Sequence, residues 1–496
     1  MANIENLAYT PDEVREMDRI AIEDLGIPGY TLMTRAGQAT FNDAREHFPN
    51  ARRWLVLCGA GNNAGDGYVI ARLARAAGLD VTVAALSDPG KLAGDAAIAR
   101  DDYLGDGGGI DAFSDVSCRD ADIVVDAMLG TGLDRTLGGA YLQAVTSLSS
   151  VDLPIVAVDI PTGLHGATGE IMGAAVRADL TATFVGLKQG LFVGDGPDHC
   201  GEIRFHDLAI PADSLTAIAP TLRLYAEADA RALLSKRDRT AHKGRYGHVL
   251  IVGGNRGMGG AARLAGEAAL RAGAGLVSVA AHPQSASAIL AGRPELMCHA
   301  VETAEHLGDL LDRATVVALG PGLGRDDWAW QMFQRAIGAS SQKVVDADAL
   351  NVLAEESLQR DDWILTPHPG EAARLLATDT ASIQADRVAA VREIACRYGG
   401  VAVLKGHGTL IGTHGSLPAL VRRGNPGMAT AGMGDVLTGI VAGLLAQFPA
   451  DLFAVASAAA HVHGFAGDLA VADGGERGLI AGDLLGHLRS AVNPDA

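Results

Sequence analysis

Aromatic side chains make up only 4% of this 496-residue chain, although 48% of its residues are apolar. Cores with so few rings must close on aliphatic and small side chains. The 63 glycines, roughly twice the usual frequency, fit small-residue helices packed on sheets with tight turns. Cysteine is sparse as well: Cys58, Cys118, Cys200, Cys298 and Cys396 show neither metal nor disulfide spacing. No disulfide framework is expected, and an odd number of isolated thiols suits a reducing cytosol. There is no basic excess. A net charge of −19 argues against nucleic acid and anionic membranes as partners, while leaving room for an anion held by local loops. No apolar run approaches bilayer length, and Met1–Pro11 lacks the basic and apolar pattern of a signal peptide, so a cytoplasmic location is expected. The Walker pattern Gly-x-x-x-x-Gly-Lys-[Ser/Thr] is missing too.

The length suggests roughly two to four domains, and the motifs fall into two groups. In the first half, a helix is expected from Thr10 to about Ala44, then a buried strand Trp54–Cys58, a loop Gly59–Gly67, a helix Tyr68–Ala77 and a strand Asp80–Leu86. That order opens a doubly wound α/β sheet. Gly59-x-Gly61-x-x-Ala64 is a poor dinucleotide fingerprint, because the acid due about twenty positions on could only be Asp88, which comes late. Asn62, Asn63 and Asp66 instead fill the loop with side-chain oxygen, which suits hydroxyls, amides or a hard cation. Strands Ile123–Val125 and Ile155–Val158 run into Asp126 and Asp159. Ligands of open parallel sheets sit beyond the carboxyl ends of the strands, so Asp66, Asp126 and Asp159 would gather at one edge. The alternative is that each aspartate only caps its turn.

The proline-containing stretch Asp207–Arg223 has no helical or strand period and is the best linker candidate. Beyond it, apolar strands at His248–Val252, Val316–Leu319, Val344–Val345, Ile364–Thr366 and Val401–Leu404 each end in a polar, glycine- or proline-rich turn. A second parallel sheet with its site along one rim is expected. Lys405 is either a point charge for phosphate or a solvated strand-end lysine. His461 and His463, two apart in an alanine-rich helix, face different sides and read as structural. The stretch Asn425–Asp435 precedes an apolar helix Val436–Leu445. Gly432 and Gly434 let the backbone approach a ligand, and the helix start offers free N–H groups to phosphate. Asp435 is out of place beside an anion unless it acts as a base; otherwise it is an early-turn dipole partner.

Asn62-Asn63-Ala64-Gly65-Asp66-Gly67, Asp126 with Gly130-Thr131-Gly132, and Asp159-Ile160-Pro161-Thr162-Gly163 resemble the NAD(P)H-hydrate epimerase family over most of the first 210 residues. The resemblance implies a Rossmann-like domain, residues 1–221, that interconverts R and S epimers of NAD(P)H hydrated at C6 of the nicotinamide ring. It assigns substrate contacts to Asn62, Asn63, Ala64, Gly65 and Asp66, and to Gly130, Thr131, Gly132, Leu133, Asp134, Arg135 and Thr136. A potassium ion falls to Asn63, Asp126 and Thr162, and the reacting carbon to Asp159. Ala64 stands where the family usually has Gly, and Thr162 where Ser is common.

Lys243–Gly247, Gly320–Gly324, Pro367–Glu371, Lys405–Thr409 and Asn425–Asp435 resemble the ADP/ATP-dependent NAD(P)H-hydrate dehydratases, a branch of the ribokinase-like fold, from about Leu222 to Leu488. Residues 222–496 would form this second doubly wound domain. Ala261, Gly322, His368 and Asp435 would contact the hydrated nucleotide. Lys405, Gly406, His407, Gly408, Thr409 and Gly434 would hold ADP as co-substrate, with Mg²⁺ and Asp435 as catalytic base. The hydrates NADHX and NADPHX are then the small-molecule substrates, neither nucleic acid nor membrane is a partner, and a homo-oligomer is expected. Three rivals stand beside this reading: a ribokinase-like kinase for a small alcohol, a non-catalytic nucleotide sensor, and an NAD-linked oxidoreductase.

Overall fold

The first expected helix is broken. Thr10 caps the helix Pro11–Arg19, its N–H bonded to Glu13 Oε2 at 2.7 Å in a capping box with Pro11 in the first turn. A π-helical turn, Ile20–Asp24, follows; Gly26 then takes φ 70°, and Pro28 precedes the second helix, Gly29–His47. The apolar period carries across the interruption, so the sequence reads as one helix where Gly26 and Pro28 make two.

The computed structural model describes residues 4–115, 118–215, 218–356 and 358–495. The chain divides into two compact units, Met1–Leu222 and Arg223–Ala496. Within the expected linker, Ala212–Leu215 is helical and Leu222–Leu224 is a strand, while residues 216 and 217 lie outside the described residues, as do 1–3 and 496 at the ends. No described helix is long and apolar enough to cross a membrane.

The first unit is built on a parallel sheet in the order Ile110–Ala112, Asp80–Ala85, Arg53–Cys58, Ile123–Ala127, Ile155–Val158, Leu180–Phe184, Glu202–His206. Strand order reverses between Arg53–Cys58 and Ile123–Ala127, where Cys58 lies opposite Ala127. Crevices for ligands open at such switch points.

The second unit repeats the plan with Met297–Ala300, Leu276–Ala281, His248–Val252, Val316–Leu319, Gln342–Val345, Trp363–Leu365 and Val401–Leu404, all parallel. The wholly parallel sheet expected from sequence is corrected at the next strands. Thr409–Thr413 runs antiparallel to Val401–Leu404, because Lys405–Gly408 is a tight connection with no room for a crossover helix, and Ala419–Val421 pairs antiparallel with Thr409–Thr413 in turn. The helix Met433–Leu445 packs on Gly259–Ala272 at glycine distance. A Cβ on Gly439 would collide with the Ala265 carbonyl, and one on Gly443 would stand 2.7 Å from the Ala269 carbonyl. Ala262, Ala265, Ala268, Ala269 and Ala272 are the buried counterparts, which accounts for a core poor in aromatics.

Candidate functional sites

In the first unit, the N–H of Gly59 reaches the Ala127 carbonyl at 3.2 Å, and any side chain on Gly59 would run into the Met128 carbonyl. The following helix is Asn62–Ala76 and does not wait until Tyr68. Asn62, Asn63, Ala64, Gly65 and Asp66 are therefore helix residues, not a loop. Ala64 is buried in helical backbone and needs no left-handed turn, so the Gly-to-Ala departure costs nothing there. The helix start turns its unpaired N–H groups to the switch point.

Asp126, fully buried near the end of its strand, accepts from Thr162 N–H at 2.8 Å, Thr162 Oγ1 at 2.7 Å and Met128 N–H at 3.2 Å. Burial nevertheless pushes its carboxyl up to about 6, and no cationic side chain is among the influences on it. Leu129 N–H donates to Thr162 Oγ1 at 3.0 Å. Asn63 is 9% exposed and its Nδ2 has no hydrogen-bond partner. A Cβ on Gly130 would lie 3.4 Å from Asn63 Oδ1 and 3.5 Å from Asp159 Oδ2, so the bare glycine separates these two oxygens.

Asp159 has φ 71°, uncommon for a residue with a side chain, and its N–H is tied to the Ala182 carbonyl at 2.7 Å. Its Oδ1 is ion-paired with Lys188, a side chain 2% exposed. The other two Lys188 bonds go to Thr183 Oγ1 at 3.1 Å and the Phe184 carbonyl at 2.8 Å. Asp66 is raised well above the usual carboxylate range by burial and by the Asp159 and Asp18 charges. Asn62, Asn63, Asp66, Gly130, Thr131, Gly132, Leu133, Asp159, Lys188 and Asp18 line one cavity of about 440 Å³. Ala64 and Gly65 lie behind its wall, with Gly65 against Met33. Asp134, Arg135 and Thr136 are exposed and outside it.

In the second unit, left-handed Gly432 (φ 88°) caps the helix Met433–Leu445, which puts Gly434 and Asp435 in its first turn. Burial, the Asp346 charge and, more weakly, Asp348 and Glu371 push Asp435 up to about 7, against the pull of Lys405. Lys405 Nζ is 2.7 Å from Asp346 Oδ1 and 3.7 Å from Glu371 Oε2. Burial pulls Lys405 down, but Asp346, Glu371 and Asp435 outweigh it and leave the ammonium above its ordinary value. The lysine is thus held among acids and is not solvated. A Cβ on Gly434 would stand 3.2 Å from Lys405 Nζ.

His368 caps the helix Pro369–Leu376, its Nδ1 accepting from Gly370 N–H at 3.0 Å and Glu371 N–H at 3.3 Å. Gly322 and Ala261 adjoin, since a Cβ on Gly322 would be 3.1 Å from that of Ala261. Two residues on, Gly324 N–H donates to Asp348 Oδ2 at 2.8 Å. Buried Arg387 holds the Lys405–Gly408 turn from behind, its Nη2 reaching the Lys405 and Gly408 carbonyls at 3.3 Å. Gly406, at φ 137°, leaves room for that guanidinium, and His407 is exposed. His463 Nε2 has no partner in the interior.

The sequence placed Asp346, Asp348 and Glu371 in strand-end turns without assigning them a role. It gave no signal for Lys188, Asp18 or Arg387. Their positions depend on side chains reaching across elements, which no local spacing encodes.

Two α/β units, each with acids around a helix start, at the switch point in the first and opened by glycine in the second, define a protein with two small-molecule sites, the second of ribokinase-like architecture. A ribokinase-like superfamily protein from Enterococcus faecalis V583 superposes with a TM-score of 0.51 at 28% identity, covering 55% of this chain and 96% of its own. The ADP/ATP-dependent NAD(P)H-hydrate dehydratase from Bacillus subtilis, crystallised with ATP and Mg²⁺, does so at 0.50 and 29%, covering 55% and 98%. The family described as NAD(P)H-hydrate dehydratase matches residues 249–488, and that described as YjeF-related protein N-terminus matches residues 29–190. The bifunctional NAD(P)H-hydrate repair enzyme Nnr of Coxiella burnetii is 45% identical over 486 residues, covering 98% of this chain and 99% of its own. Its Escherichia coli (strain K12) counterpart is 43% identical over 494 residues, covering 99% and 95%. The chain belongs to the bifunctional NAD(P)H-hydrate repair enzymes.

Proposed function

We propose that the first unit interconverts the R and S epimers of NAD(P)H hydrates and that the second dehydrates the S epimer back to NAD(P)H, consuming ADP and releasing AMP and phosphate. Hydroxide leaves poorly at neutral pH. Phosphoryl transfer to the C6 hydroxyl converts it to phosphate, which the ring nitrogen can expel. Asp435 accepts the hydroxyl proton, and the Gly432–Gly434 turn and helix start hold the transferring oxygens. The observation that carries this reading is the Asp435 carboxyl in the first helical turn, poised at about 7 beside Lys405. A base near the working pH is suited to its task. Mg²⁺, which binds largely through substrate phosphates and water, would supply positive charge to those oxygens; both Asp346 oxygens are already engaged, by Lys405 and Thr438, so the ion would be held chiefly by the nucleotide's own phosphates.

Potassium belongs to this proposal for the first unit. Asn63, Asp126 and Thr162 each carry a side-chain oxygen, and Asp126 is a buried carboxylate without a basic partner, so the set fits a monovalent cation. When bound it supplies the missing counter-charge. Among the described residues, no group of three or more His, Cys, Asp or Glu is arranged to hold a metal, so the neutral oxygens of Asn63 and Thr162 are essential to this assignment.

Recovery of NADH absorbance from hydrated NADH, with ADP, ATP or neither added, tests the proposal. Racemic hydrate should be consumed fully with ADP, and without nucleotide nothing should be recovered. Recovery that stops at half means the first unit does not epimerise, and recovery independent of nucleotide overturns the phosphoryl-transfer step.

A further inference from the structure

The first-unit cavity contains an acid that neither the motifs nor the proposed mechanism uses. Asp18 lies on the last turn of Pro11–Arg19, with Val14, Arg15 and Ile22 on the same cavity-lining face, immediately before the π-helical turn Ile20–Asp24. π-Turns inserted in α-helices recur at functional sites, where they re-aim side chains. Asp18 shares the cavity with Asp159, Asp66, Asp95, Arg15 and Lys188. Among the described residues its carboxyl makes no hydrogen bond or ion pair, although it is half-buried. The Lys188 ammonium already donates to Asp159, Thr183 Oγ1 and the Phe184 carbonyl, so no N–H of it is left unpaired for substrate. Inverting a carbon that carries hydroxyl and nitrogen needs a proton given as well as a proton taken, and Asp159 alone supplies one role.

We propose that Asp18 is the second proton-transfer residue of epimerisation, acting with Asp159 in the same cavity. This rests on the epimerase reading of the first unit. In one direction the Asp18 carboxyl gives its proton to the C6 hydroxyl, and the C6–O bond breaks with its electron pair leaving on water. The N1 lone pair forms the C6=N1 bond of an iminium. Water then adds to C6 from the other side, its proton goes to the Asp159 carboxylate, and the C6=N1 pair returns to nitrogen. The reverse direction exchanges the two roles, and no oxidant or reductant is involved. Burial, partly offset by Lys188 and reinforced by Asp159, raises Asp18 to about 6, so donor and acceptor forms are both accessible near neutral pH.

The test is interconversion of purified epimers by the full-length chain, wild type against Asp18→Asn and Asp18→Glu, each checked by thermal melting. Asp18→Asn should lower kcat by about 10²- to 10⁴-fold with KM nearly unchanged, and Asp18→Glu should restore part of the rate. The wild-type rate should fall as pH rises past about 6, where the donor form is lost, and Asp18→Asn should lack that limb. An Asp18→Asn enzyme within threefold (about 0.7 kcal/mol) of wild-type kcat, or one that keeps the limb, overturns the assignment. If the wild-type chain does not interconvert the epimers, the epimerase reading itself fails.

Discussion

Lys405 Nζ lies 2.7 Å from Asp346 Oδ1, and the second oxygen of Asp346 accepts from Thr438 Oγ1 at 2.7 Å. Asp346 thereby joins a strand end, the turn that would hold ADP and the helix that carries Asp435. Asp346→Asn removes the nearest negative charge from a mostly buried ammonium and leaves it Glu371 at 3.7 Å and the weaker influence of Asp435. Breaking a buried pair typically costs about 3–5 kcal/mol, and the remaining acids place this case at the lower end. Urea unfolding of the full-length chain should show that loss; stability within experimental error of wild type would mean that the pair contributes nothing.

Asp435→Asn keeps the shape of the first helical turn and removes the proton acceptor. Dehydration should fall by about 10²- to 10⁴-fold while nucleotide binding survives. The pH dependence follows from the direction of the shift. A base works only when deprotonated, so a carboxyl raised to about 7 makes wild-type kcat/KM climb through that pH, where an ordinary carboxylate would already be flat. A profile level from pH 5 to 8 would mean that Asp435 is only a dipole partner.

Potassium dependence can be tested without mutation. Replacing potassium by a bulky organic cation should slow epimer interconversion and leave dehydration of the S epimer unchanged. Thr162→Val removes the hydroxyl shared with Asp126 and should weaken the potassium response. Full epimerisation in rigorously potassium-free buffer would refute the cation assignment.

The parallel strands were legible in the sequence because each is a short apolar run closed by a turn, and His248–Val252 and Val316–Leu319 begin and end where expected. Helix starts were read late. Asn62–Asp66 and Gly434–Asp435 are glycine- and polar-rich, so propensity puts them in loops, yet N–H groups facing a ligand belong in a first turn. The strands Thr409–Thr413 and Ala419–Val421 were missed because they are short, and Gly412 interrupts the first. Lys188 could not be seen from sequence at all: it is 29 positions from Asp159, and only the sheet brings them together.

The contact between Met433–Leu445 and Gly259–Ala272 bears on more than the core. Hydrogen atoms of Gly439 and Gly443 occupy the places where side chains would otherwise hold the helices apart, so neither helix can slide along the other without backbone meeting backbone. Ala261 stands near the start of one helix and Asp435 near the start of the other. The span between the proposed substrate contact and the proposed proton acceptor is therefore set like the jaws of a caliper, with its screw buried along the two shafts. On the proposed reading, discrimination at the tip would be enforced by residues that never touch the ligand.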